Sequence, residues 1–138
     1  MSHGYPPKFS PEEFHCKCGK YCDGPSPHAD KTRHLAWTLQ AIRDEVAAPI
    51  KINSGYRCPE HNKAIGGAKH SYHVQGMAAD LHCAAVSPEE LANTIEDMME
   101  HGQIPNGGLG RYNTFTHIDI RRKEGGQDEA PSLQAVPW

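Results

Sequence analysis

From Phe115 to Arg121 the chain alternates in a way that dictates a two-sided sheet. In an extended strand Ile118 and Ile120 fall on one face, and His117, Asp119 and Arg121 on the other. A strand buried in a core on both sides would waste three polar groups, so this stretch belongs where one face is packed and the other lines a polar hollow. Met77 to Cys83 repeats the arrangement, with Met77, Ala79 and Leu81 on one side and Ala78, Asp80 and His82 on the other.

The apolar faces need covering, and two helical stripes are available. From about Lys31, Leu35, Leu39, Ile42 and Val46 recur at the 3.6-residue spacing until Pro49 ends the pattern. Ser87-Pro-Glu-Glu is a helix start with a capping serine, a proline in the first turn and a glutamate three residues after the cap. Leu91, Ile95, Met98 and Met99 follow as its packing stripe, and Gly102 supplies the stop. Ile50 to Gly55 reads as a short strand leading into Tyr56-Arg57-Cys58, Pro59 opens a short helix, and Gly66-Gly67 closes it. Leu109 to Tyr112 pairs with Phe115 to Arg121 across Asn113-Thr114. There is no internal repeat. The reading is a single small α+β domain: a mainly antiparallel sheet with helices on one face and a cleft on the other. Residues 1–30, rich in Pro, Gly, His and Cys, form an irregular N-terminal cap, residues 31–122 the core, and residues 123–138 a solvated, mobile tail. With 138 residues, 37% of them hydrophobic, the chain can build one modest core and not two.

A formal charge of -3 supplies no field to hold a polyanion, which disfavours a nucleic-acid partner. No stretch approaches the length of a membrane span, and Met1 to Lys8 lacks the basic and apolar regions of a signal peptide. The expectation is a monomer made in the cytoplasm. Five cysteines cannot all pair within one molecule, so at least one thiol is free or bound to metal.

If the two polar strand faces line one cleft, His73, Asp80 and His117 converge as two imidazoles and a carboxylate with a fourth position open. That is the donor set of a catalytic zinc site. The residues also resemble a known family. Ser71-Tyr-His73-Val-Gln-Gly76-Met-Ala78-Ala-Asp80 is similar to the SxHxxGxAxD signature of the M15 peptidases, the clan of zinc D-alanyl-D-alanine carboxypeptidases and L,D-endopeptidases. Ser54-Gly-Tyr-Arg57 and His117-Ile-Asp119 resemble its other motifs, in the same order. The opening Phe14-His-Cys-Lys-Cys-Gly19 resembles the short phage and bacterial branch that includes endolysins.

The resemblance implies that His73, Asp80 and His117 bind zinc, that Arg57 meets a substrate carboxylate or carbonyl, and that Ser71 bonds the substrate backbone. It further implies that Gly76 makes the turn between ligands and that Ala78 keeps the cleft wall low. Several members carry the general base three residues before the last ligand, where this chain has Thr114. Asp119 is the substitute on the strand face, with support of the His117 ring as its alternative role. The implied activity is hydrolysis of amide bonds in peptidoglycan peptides, of carboxypeptidase or endopeptidase type. The wall would be reached by phage lysis, on a phage tail or by another export route. Two alternatives stand beside it: a non-catalytic binding module on a zinc scaffold, as in hedgehog signalling domains, and a cytoplasmic dipeptidase for D-amino-acid peptides.

Cys16, Cys18 and Cys22, with His15, His28 or Cys58, have the composition of a second, structural zinc site, against which stand disulfides and free thiols. His34, His61, His82 and His101 read as ordinary polar residues. His70 is placed either along the cleft or on an exposed loop.

Overall fold

The computed structural model describes residues 4–68 and 70–121. The tail expected from residue 123 lies outside them. Four strands, β1 (Lys51–Ser54), β2 (Ala78–His82), β3 (Gly108–Arg111) and β4 (Thr116–Asp119), form one antiparallel sheet in the order β1-β2-β4-β3. Both strands with the polar alternation are thus central, side by side. Asp80 on β2 stands directly opposite His117 on β4, and Leu81 opposite Thr116.

The two stripes became α1 (Ala29–Val46) and α3 (Pro88–Glu100), with a short α2 (Pro59–Ala64) between them. Ser87 and Glu90 cap α3 reciprocally: the Glu90 N–H donates to Ser87 Oγ at 3.1 Å and the Ser87 N–H to Glu90 Oε1 at 3.0 Å. α1 ends where Ala47 takes a left-handed conformation and its N–H bonds the Arg43 carbonyl. Leu35, Leu39 and Ile42 from α1 and Leu91, Ile95 and Met98 from α3 share one core with Ile52, Ala79, Leu81, Leu109 and Ile118 of the sheet. Phe9 and Phe14 from the N-terminal segment enter the same core, Phe14 through a 3-10 turn at Pro11–Phe14.

The opposite sheet face is left for polar groups, and β3 makes room for them. Gly108 and Gly110 lie opposite Asp119 and His117. A Cβ on Gly108 would sit 2.5 Å from Asp119 Oδ2 and 2.6 Å from Arg121 Nη2. On Gly110 it would stand 2.9 Å from the Tyr112 ring.

Candidate metal centre

His73 comes from the loop between α2 and β2, which is braced by hydrogen bonds within itself and to its neighbours. Ser71 Oγ accepts the His73 N–H at 3.1 Å, and the His73 carbonyl accepts the Arg57 N–H at 3.1 Å. The loop then turns at Gly76, whose φ of +71° favours glycine. Thr32 Oγ1 of α1 donates to the Gly76 carbonyl at 2.9 Å, and a Cβ there would meet that same hydroxyl at 2.6 Å. The turn delivers His73 beside the Asp80–His117 pair.

The donor atoms of His73, Asp80 and His117 lie within 4.8 Å of one another, and all three residues are buried. His73 Nε2 is 3.2 Å and His117 Nδ1 2.9 Å from the same oxygen, Asp80 Oδ1. The outer nitrogen of each ring decides what the inner one offers. His73 Nδ1 lies 2.7 Å from the Gly55 carbonyl, which can only accept, so Nδ1 carries the proton and a neutral ring turns its Nε2 lone pair inward. His117 Nε2 lies 2.9 Å from Asp119 Oδ2, which fixes the other tautomer and turns the Nδ1 lone pair inward. Two lone pairs and a carboxylate oxygen therefore face one point, a combination that calls for a cation.

Burial and hydrogen bonding act differently on the three groups. Burial lowers His73 and keeps it neutral. Burial also opposes charge on His117, but hydrogen bonds to Asp119 and Asp80 outweigh it and raise the ring. Burial works against the Asp80 carboxylate as well, and the His117 and His73 hydrogen bonds nevertheless hold it down at about 2. A bound divalent cation would supply the charge that this pocket otherwise draws from a proton on His117.

Asp119 sits on the strand face expected, yet in a different setting. It is fully buried, and both oxygens are occupied. Oδ1 accepts from the Gly108 N–H at 3.1 Å, the Arg121 N–H at 3.2 Å and Arg121 Nε at 2.7 Å. Oδ2 accepts from Arg121 Nη2 at 2.7 Å besides His117. Burial disfavours this carboxylate, but the Arg121 and His117 hydrogen bonds prevail and hold it well below the usual carboxylate range. Of the two roles expected for it, general base or support of the His117 ring, the contacts made here are those of the second. Thr114, three residues before His117, is exposed.

Arg57 is 2% exposed and donates through Nη1 to Asn62 Oδ1 at 2.7 Å, while Asn62 Nδ2 donates to the Ala68 carbonyl at 2.8 Å. Burial lowers the guanidinium, and the Asp80 charge partly restores it. Ala78 is buried opposite Asp119. His70 is exposed, and His82 is an exposed partner of Asn53. Asn62 and the Gly55 carbonyl escaped the sequence reading, and Arg121 was placed on the polar face without a role. The signal for Arg121 is that it continues the polar alternation two residues beyond Asp119.

The cysteines form a second gathering. Cys16, Cys18, Cys22 and Cys58 bring their sulfurs within 4.8 Å of one another, and His15 and His28 are not part of the group. The backbone N–H of Lys20 foremost, helped by that of Tyr21, lowers the Cys18 thiol to about 6 despite desolvation.

Comparison with known proteins gives a consistent picture. The family described as peptidase M15 matches residues 7–119. A zinc D-Ala-D-Ala carboxypeptidase of Streptomyces albus G is 35% identical over 85 residues, covering 59% of this chain and 32% of that protein. A probable peptidoglycan L,D-endopeptidase MepK of Haemophilus influenzae is 34% identical over 79 residues, covering 52% of this chain and 39% of that protein. The match thus spans well under half the length of either relative.

Proposed function

Since this chain belongs to the peptidase M15 family, we propose that it is a zinc-dependent peptidase acting on amide bonds of peptidoglycan peptides, with His73, Asp80 and His117 holding the metal. The observation that carries this reading is the convergence of two imidazole lone pairs and the Asp80 oxygen on one point. Zinc bound at such a site polarises a carbonyl and brings the pKa of water to about 7.

The remaining work falls to the chain. The Gly55 carbonyl and Asp119 hold the two rings in the tautomers that ligation needs. Asp119 is in this reading a positioning residue rather than the general base, because neither oxygen is left to take a proton. Arg57, braced by Asn62, is the group that meets a substrate carboxylate or carbonyl, a task suited to its planar fork. Ser71 keeps its hydroxyl proton to donate while its oxygen accepts from His73. The substrate class is supported by the names of the two relatives, one acting on D-Ala-D-Ala and one on peptidoglycan.

Two features favour a second reading, a zinc-scaffold binding module without turnover: Thr114 stands where the family resemblance implies an acid, and Asp119 is saturated. Mass spectrometry of purified peptidoglycan incubated with the zinc-loaded protein separates the two. Peptidase action yields new termini that vanish with chelator or with His117→Ala, free D-alanine marking a carboxypeptidase and internal cuts an endopeptidase. Peptidoglycan that sediments with the protein but gains no termini would transfer the case to the binding module.

A further inference from the structure

We propose that Cys16, Cys18, Cys22 and Cys58 bind a structural zinc ion that fastens the N-terminal segment to the loop bearing Arg57. Three of the sulfurs come from one tight stretch, Cys16-Lys-Cys18-Gly-Lys-Tyr-Cys22, and the fourth from a residue far along the chain. Nothing in the local sequence obliges that fourth sulfur to arrive.

The spacing suits a metal better than a disulfide. Cys18 Sγ and Cys22 Sγ are 3.6 Å apart, and all five cysteines are free thiols. A disulfide bonds its sulfurs at about 2.05 Å. Four thiolates each about 2.3 Å from one zinc stand roughly 3.8 Å apart at tetrahedral angles. The backbone is arranged for the same purpose. Gly19 turns with φ +62°, which lets the Lys20 and Tyr21 N–H groups donate to Cys18 Sγ at 3.4 and 3.2 Å. The Cys58 N–H donates to Cys16 Sγ at 3.3 Å. Such N–H···S bonds spread the charge that thiolate ligation concentrates. The four cysteines cluster with Tyr56 in a small core of their own, separate from the main one. A closed four-thiolate set leaves no position for water, the mark of a structural site.

The place matters. Cys58 directly follows Arg57 and caps α2, the helix that carries Asn62. The Tyr56 N–H bonds the Phe14 carbonyl at 2.9 Å, and Gly55 offers the carbonyl that orients His73. A metal here would fix one strap of chain that supports both Arg57 and a ligand of the other centre.

The test is native mass spectrometry with elemental analysis of the full chain, purified under reducing conditions. Two zinc ions per chain are expected, falling to one in His117→Ala and to one in the Cys18→Ser/Cys22→Ser double variant. Cobalt substitution gives a second readout that does not depend on folding of the cysteine variant: His117→Ala should keep the intense sulfur-to-cobalt charge-transfer absorption. One zinc in the parent that is lost in His117→Ala, iron in place of the second zinc, or only one titratable thiol after denaturation would each overturn the proposal. Since none of these measurements involves turnover, a chain with two zinc ions and no action on peptidoglycan would uphold this site while sinking the peptidase reading.

Discussion

Replacing Asp119 by Asn is the sharpest test of how the metal centre is supported. The carboxylate accepts from His117 Nε2, Gly108 N–H, and Arg121 N–H, Nε and Nη2 at 2.7 to 3.2 Å. An amide keeps one acceptor oxygen and puts two N–H groups where the other was. If the amide nitrogen faces His117, that ring must accept there, which moves its proton to Nδ1 and removes the lone pair that points at the metal. If the nitrogen faces Arg121, a guanidinium whose side chain is 16% exposed loses half its carboxylate grip. Disturbing a group that orients a metal ligand costs about 10- to 100-fold in metal affinity, or roughly 1.4 to 2.7 kcal/mol. Leaving buried donors short of acceptors costs a further 1 to 3 kcal/mol, roughly, in fold stability. Zinc affinity measured by competition with a chromophoric chelator should therefore fall with activity, and saturating zinc should restore much of the rate. A general base behaves differently: its loss leaves affinity intact and lowers turnover by about 100- to 10,000-fold. Unchanged zinc affinity with such a loss at full occupancy would refute the positioning role.

The same carboxylate sets a pH dependence. Its folded pKa is depressed, so it stabilises the fold above the ordinary carboxylate value of about 3.9 and loses that contribution only as pH falls through the depressed value. The gap in denaturant stability between parent and Asp119→Asn should stay constant from neutral pH to about 5 and close in stronger acid; a gap that closes near pH 6 would contradict this. Gly108→Ala should weaken zinc binding without changing any charge, because its Cβ would press on Asp119 Oδ2 and Arg121 Nη2; normal affinity in that variant would show that the pair can shift harmlessly. Gly76→Ala should lower the melting temperature by several degrees, from about 1 to 3 kcal/mol of backbone strain plus the clash with Thr32, and an unchanged melt would contradict it. Arg57→Lys should keep zinc and lose turnover by roughly tenfold or more, since an ammonium cannot reproduce the fork; unchanged kinetics on a wall-derived peptide would make Arg57 a structural residue.

The fold was legible wherever a period or a cap stated it. The stripe Leu35, Leu39, Ile42 marked α1, the Ser87–Glu90 box marked the start of α3, and the alternation around Ile118 marked β4 and its two faces. Alternation names a face but not a depth. Asp119 was therefore placed correctly on the polar side while its burial beneath Arg121 went unseen, because that contact depends on glycines in a different strand. Asn62 was invisible for a similar reason: its value lies in folding back from α2 onto Arg57, which no spacing announces. Cys58 was only one of three candidates for a fourth partner, and only the meeting of its loop with the N-terminal segment singles it out.

The cross-strand pairing of Asp80 with His117 gives the sheet a means of checking its own assembly. A slip of one residue between β2 and β4 would turn Ile118 toward water and separate two of the three metal donors in the same stroke. If His73, Asp80 and His117 hold zinc as proposed, misregistered chains would be poor metal binders, and the ion, by favouring the chains that pair correctly, would act as a proofreader of strand alignment during folding. Zinc uptake followed in time after dilution from denaturant should then track the appearance of the native sheet, making the metal a built-in reporter of folding fidelity.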